Sequence, residues 1–159
     1  MLVTRRNQRG VSMIESLIAL LVISVGLLGI AALQLTSVGL NGSALNHSQA
    51  VWIANNMADR IRANGGQFAA YNGKNTAEAP DNPGCMEARC SATDIVDLDT
   101  AEWAEMISIL PSGQGLVTGD ASNLEIRVMW DDEGTGASGT DCGTDPGTDL
   151  TCYIVAVSQ

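Results

Sequence analysis

Residues 16–58 carry no formal charge, and no other feature limits the fold as strongly. A water-soluble domain coats its outward faces with Asp, Glu, Lys and Arg, so so long a stretch without them is not the outside of an ordinary soluble fold. Within it Leu17 to Leu35 reads LIALLVISVGLLGIAALQL, whose only polar members are Ser24 and Gln34. As a helix rising ~1.5 Å per residue this segment spans roughly 28 Å, the thickness of a bilayer's hydrocarbon core. Arg5, Arg6 and Arg9 flank its N-terminal side and no cation flanks the other. The short N-terminus is therefore expected in the cytoplasm, with everything after about Val38 outside.

Residues alone leave three readings open. A secretory signal would show the same basic and apolar regions, with small residues near Gly29, Ala31 and Ala32 for cleavage. A plain single-pass anchor is the second. The third gives Glu15 a task, because a carboxylate at membrane depth costs a few kcal/mol unless it is paired.

The stretch Arg9-Gly10-Val11-Ser12-Met13-Ile14-Glu15-Ser16-Leu17 resembles the class III leader of the type IV pilin family. The resemblance implies cleavage by a prepilin peptidase between Gly10 and Val11, N-methylation of Val11, and an apolar helix retained on the mature chain. Glu15 becomes the acid that meets the terminal amine of a neighbouring subunit. Such a low-dielectric ion pair offsets burial and fixes axial register. The same leader would suit the pseudopilins of type II secretion. Gly26 to Gln34 (GLLGIAALQ) and Met57 to Asn64 (MADRIRAN) are similar to the minor pilins of the PilV type, and Trp103–Gly113 and Ile126–Asp132 fit more loosely.

Past the membrane segment, Ala50, Ile53, Ala54, Met57, Ala58 and Ile61 recur at three- and four-residue steps and define one apolar helix face. Asn64-Gly65-Gly66 supplies a stop, since glycine closes a helix in the left-handed conformation without a Cβ clash. A single helix from about Ser12 to Asn64 is expected, with Gly39 and Gly42 as its weak points. Residues 65–98, rich in Gly, Asn and Pro, read as a long surface loop. Asp99 is expected to cap a helix from Thr100 to Leu110, with Glu102 in the capping-box position and Leu98 and Trp103 as its staple. Leu124, Ile126, Val128 and Trp130 alternate with Glu125, Arg127 and Met129 as in a half-buried strand. Cys152–Val157 reads as a second strand and Leu116–Thr118 as a third. The expected fold is α+β, a long N-terminal helix packed on a small antiparallel sheet, as in pilins. The expected divisions are a leader at 1–10, a transmembrane and assembly helix at 11–38, and a periplasmic domain at 39–159.

Cys85, Cys90, Cys142 and Cys152 all fall outside the cytoplasm in this topology, where disulfides persist. Three pairings exist, and Cys85–Cys90 with Cys142–Cys152 needs only short loop closures. Zinc is the rival, but C-x4-C and C-x9-C are not usual ligand spacings and no histidine lies near. From Asp131 to Asp149 there are six acids and no cation, with a repeat at Gly139-Thr140-Asp141, Gly143-Thr144-Asp145 and Gly147-Thr148-Asp149. A solvated loop is the plain reading; calcium on Asp141, Asp145 and Asp149 is the sharper one, although the repeat lacks the closing glutamate of an EF-hand.

No catalytic constellation or cofactor motif stands out. His47, the single histidine, falls on the long helix, and Glu102 and Glu105 fit a solvated helix face. Asp59, Arg60 and Arg62 are candidates for a contact between subunits. A net charge of −10 argues against nucleic acid as a partner. The reading is therefore a non-enzymatic minor pilin. The resemblance implies the inner membrane, the leader peptidase and methylase, the major pilin and other minor pilins as its partners, and after assembly a place in the pilus fibre, near the tip. A type II secretion pseudopilin, or an anchored periplasmic binding protein or enzyme, is the alternative.

Overall fold

The computed structural model describes residues 12–85, 89–143, 145 and 147–159. It divides into two compact units, Met1–Asn41 and Gly42–Gln159. One helix, α1 (Met13–Ala63), contributes to both and is uninterrupted at Gly39 and Gly42. The Ser12 side chain accepts the Ile14 N–H at its start, and Glu15 lies in the first turn. An acid there suits the partial positive charge of a helix N-terminus.

In the first unit the large apolar side chains from Ile14 to Leu40 are 54–76% exposed. In the second the expected stripe of Ala50, Ile53, Ala54, Met57, Ala58 and Ile61 is fully buried. It forms one core with Val117, Leu124, Ile126, Val128, Trp130 and Val157 from the sheet. The strands are β1 (Gln114–Gly119), β2 (Asn123–Trp130) and β3 (Thr151–Ser158), antiparallel neighbours in that order. Even-numbered residues of β2 face the core, as their alternation requires. The pilin-like α+β arrangement, a long helix on a small antiparallel sheet, is thus present.

Two expectations between the helix and the sheet need correction. Residues 65–98 are not one loop: 3₁₀ turns over Gly65–Tyr71 bring Phe68 and Tyr71 into the core, and α2 spans Ala92–Ile107. Its N-cap is Ser91, whose side chain accepts the Asp94 N–H while Asp94 accepts the Ser91 N–H, a reciprocal box. Asp99 is therefore inside the helix and caps nothing. Val96, Thr100, Trp103 and Ile107 form the buried face, and the acid at Asp99 interrupts the hydropathy of that stripe. Beyond α2, Gly115 lies under Trp103; a Cβ there would sit 2.6 Å from the indole, so only glycine lets β1 approach.

The connection from β2 to β3 folds back over the other face of the sheet. Met129, Ala137 and Leu150 make a small second core there with Leu116 and the disulfide cysteines Cys142 and Cys152 packed against it. Cys85 is bonded to Cys90 and Cys142 to Cys152, the local pairing.

Candidate functional site

Gly10 and Val11, with Arg5, Arg6 and Arg9, lie outside the described residues, as does Thr144 of the acidic repeat. Glu15 is exposed one turn into α1. The helix behind it is long and apolar enough to cross a membrane, and none of its most apolar window is buried by protein. Such a surface, apolar on every side, suits lipid or a packed bundle of like helices and is unfavourable in water.

Arg60, Asp59 and Arg62 are close in sequence but differ in surroundings. Asp59 and Arg62 pair with each other at 2.8 Å on the exposed side of α1. Such a surface pair contributes little to stability and leaves both groups open to outside contacts. Arg60 points inward and bridges Asp99 of α2 at 2.9 Å and Glu102 at 2.6 Å. Tyr71 donates to the other Asp99 oxygen at 2.5 Å, and the Asn64 amide reaches the Ala92 carbonyl at 3.0 Å. Burial opposes the charge on Arg60, but hydrogen bonds and charge from Glu102 and Asp99 outweigh it and raise its pKa. Burial and the Asp99 hydrogen bond push the Tyr71 phenol well above its ordinary range. This cluster ties the end of α1 to α2. The sequence pointed to Arg60 but not to its partners Asp99 and Tyr71, which are 39 and 28 residues from Arg60 and Asp99 respectively in the chain.

A second tie lies where α1 enters the folded unit. Asp132, just past β2, accepts from Ser43 Oγ, from Asn46 Nδ2 at 3.3 Å and from Trp130 Nε1 at 2.9 Å. Burial works against its charge, yet the bonds from Ser43, Trp130 and Asn46 and the nearby His47 bring its pKa below the usual value. His47 is exposed and stands edge-on to the rings of Trp130 and Tyr153 at 6.0 and 5.8 Å. Ser43, Asn46 and Asp132 gave no sequence signal, because short polar residues in helices and loops are common. Trp52 is 56% exposed on α1 without a periodic signal that marks it, and an exposed tryptophan is a frequent anchor of protein contacts.

The acidic loop does not assemble the expected calcium ligands. Asp145 accepts from Thr148 and from the Gly147 N–H, which lowers its pKa and closes a local turn. The Asp149 carboxylate lies against the backbone of Gly139 and Gly143, in room that a Cβ at either position would take. Asp141 is exposed. Among the described residues no group of three or more His, Cys, Asp or Glu side chains is placed to hold a metal ion. The repeat thus sets turns, its glycines making space for the last acid.

Residues 5–31 match the prokaryotic N-terminal methylation motif, and residues 32–101 match the Tt1218-like family, described as type IV pilin Tt1218. Comparisons with curated proteins and with solved structures gave no match.

Proposed function

This chain belongs to the type IV pilins, and on that premise we propose that it works as a minor pilin of the PilV type, a structural subunit that helps to start filament assembly. As a pilin with the methylation motif it is a substrate of the prepilin peptidase and assembles with other pilins. The observation that carries the assembly reading is the contrast along α1: an uncovered apolar half with one acid in its first turn, continuous with a half whose apolar stripe is already used by the protein's own core. The likeness of Met57–Asn64 to PilV-type proteins supports a minor subunit.

In this reading the peptidase removes residues 1–10, cutting after Gly10, and Val11 is methylated. Residues 11–38 sit in the inner membrane and residues 39–159 in the periplasm until the subunit passes into the fibre, near its tip. The Glu15 carboxylate pairs with a neighbour's terminal amine, and Asp59 and Arg62 meet adjacent subunits. No step of this mechanism is chemical catalysis by the chain. Its work is helix packing, in which lipid contacts of residues 13–41 are exchanged for contacts with other helices.

Intact mass and N-terminal sequencing of the mature protein test the route: a methylated Val11 is expected, and a start at Met1 or near Ala32 ends the reading. Deleting the gene should remove surface pili and leave type II secretion intact; the reverse result assigns the chain to the secretion apparatus. Glu15→Ala should leave the protein in the membrane and strongly reduce its content in sheared filaments.

A further inference from the structure

The two edges of the sheet differ in a way that neither the assembly helix nor the core explains. At the β1 edge the outward N–H and C=O groups of Gly115 and Val117 all find partners in the segment that follows the 3₁₀ turns. Gly73 N–H donates to the Val117 carbonyl and Val117 N–H to the Lys74 carbonyl, each at 2.9 Å. Thr76 N–H reaches the Gly115 carbonyl at 3.0 Å, and Gly115 N–H reaches Thr76 Oγ1 at 2.8 Å. Odd-numbered residues of β1 therefore face outward, its even-numbered residues bond to odd-numbered residues of β2, and even-numbered residues of β2 bond to odd-numbered residues of β3.

The same alternation turns the N–H and C=O groups of Cys152, Ile154, Ala156 and Ser158 to the far side of β3. Those backbone groups have no hydrogen-bond partner among the described residues. From Leu150 to Gln159 there is no charged residue, no proline and no glycine. Charged residues, prolines and bulges are the usual means of blunting an edge, and β3 has none of them over its eight residues. Ile154 is 44% exposed and Ala156 is exposed beside it. A ready edge of this length fits another strand, and its backbone groups would supply the affinity.

We propose that β3 is a docking edge that accepts an extended strand from a different pilin subunit, and that this pairing brings the chain into its assembly. The proposal rests on the minor-pilin reading. Charge selects the occupant. The described parts of the second unit are strongly acidic, and a groove of about 550 Å³ beside Thr151 and Ile154 is lined by Asp132, Glu133 and Asp149. A second copy would bring the same acids to this edge, and like charges brought together suppress a pairing. A copy could not extend the sheet through its β1 edge either, because residues 73–76 already occupy it. The strand that fits is uncharged or basic and belongs to another kind of subunit.

The test uses the full chain in cells that assemble it. Ala156→Pro leaves the β2–β3 ladder intact, since that N–H points away from β2, but places a ring where an incoming carbonyl must lie. Its content in sheared filaments should fall roughly tenfold while its membrane level and processing stay near wild type, as expected for a blocked edge. Independently of that variant, the amides of Ile154, Ala156 and Ser158 should exchange slowly in wild-type filaments and rapidly in the detergent-solubilised subunit. A photoreactive residue at Ala156 should join to a strand peptide of a different processed pilin, identified by mass spectrometry. Normal incorporation of Ala156→Pro with unprotected amides overturns the edge and leaves the minor-pilin reading standing. A cross-link to a second copy of this chain overturns the choice of occupant. Wild-type protein missing from filaments brings down the minor-pilin reading itself, and this inference with it.

Discussion

Residues 13–41 and residues 42–63 belong to one helix, yet their apolar side chains meet opposite surroundings. In the first stretch leucines, isoleucines and valines occur on all sides and stay uncovered; in the second they narrow to a stripe that the protein's own sheet and α2 bury. The same residue types therefore do two jobs. The narrow stripe stabilises the folded unit, and the all-round surface contributes nothing to that unit's stability but demands lipid or other helices. Ile53→Ala is expected to cost the folded unit about 2–5 kcal/mol, read as a lower unfolding midpoint of the full chain in detergent. Leu27→Ala should move that midpoint by less than ~0.5 kcal/mol. Equal effects would break the comparison, because they would mean that residues 13–41 also help to hold the domain together.

The polar residues of α1 divide in the same way. Ser24 and Thr36 return their hydroxyls to carbonyls one turn back, which lets them sit in an apolar setting without outside partners. Arg60 instead spends its donors on Asp99 and Glu102 in another helix. Arg60→Ala leaves the nearly buried Asp99 with Tyr71 as its main donor and should destabilise the domain by about 2–3 kcal/mol. The figure is below the ~3–5 of a fully buried pair because a quarter of the Arg60 side chain reaches water. Arg62→Ala, which breaks only the exposed pair with Asp59, should cost under ~0.5 kcal/mol and is the control. A loss of filament incorporation by Arg62→Ala without loss of stability would place that pair at a subunit contact.

Much of this division was legible in the sequence. The uncharged run, the stripe from Ala50 to Ile61, the alternation from Leu124 to Trp130 and the local cysteine pairing each follow from spacing or charge, and each element is present. The start of α2 was hidden because its buried face includes Asp99, and hydropathy reads an acid as solvent-facing when its neutralising partners are far away in the chain. In the acidic repeat the spacing of the carboxylates does not show the turns they enter: Asp145 accepts the Gly147 N–H and Asp149 lies against Gly139 and Gly143. The tie from Ser43 and Asn46 to Asp132 joins residues more than 80 positions apart and leaves no periodic trace.

The smallest effect sharpens the contrast between buried surface and buried polarity. Trp103 and Trp130 are both essentially inaccessible, but Trp130 Nε1 donates to Asp132 at 2.9 Å whereas Trp103 Nε1 has no partner among the described residues. Phenylalanine removes similar apolar area at either position. At Trp130 it also removes a hydrogen bond to a charged acceptor; at Trp103 it removes a donor that gains nothing from being buried. Trp130→Phe should therefore be the more destabilising by about 1–2 kcal/mol at neutral pH. The acid limb gives the sign independently. Because the Asp132 pKa is lowered in the folded chain, its share of stability is complete above the ordinary carboxylate value of ~3.9 and is lost as pH falls through the lower folded value. The gap between the two variants should accordingly shrink in acid, since protonation weakens the acceptor that Trp130 uses and leaves Trp103 unaffected. A gap that stayed constant down to that range would assign the difference to packing around the two rings and take the hydrogen bond out of the account.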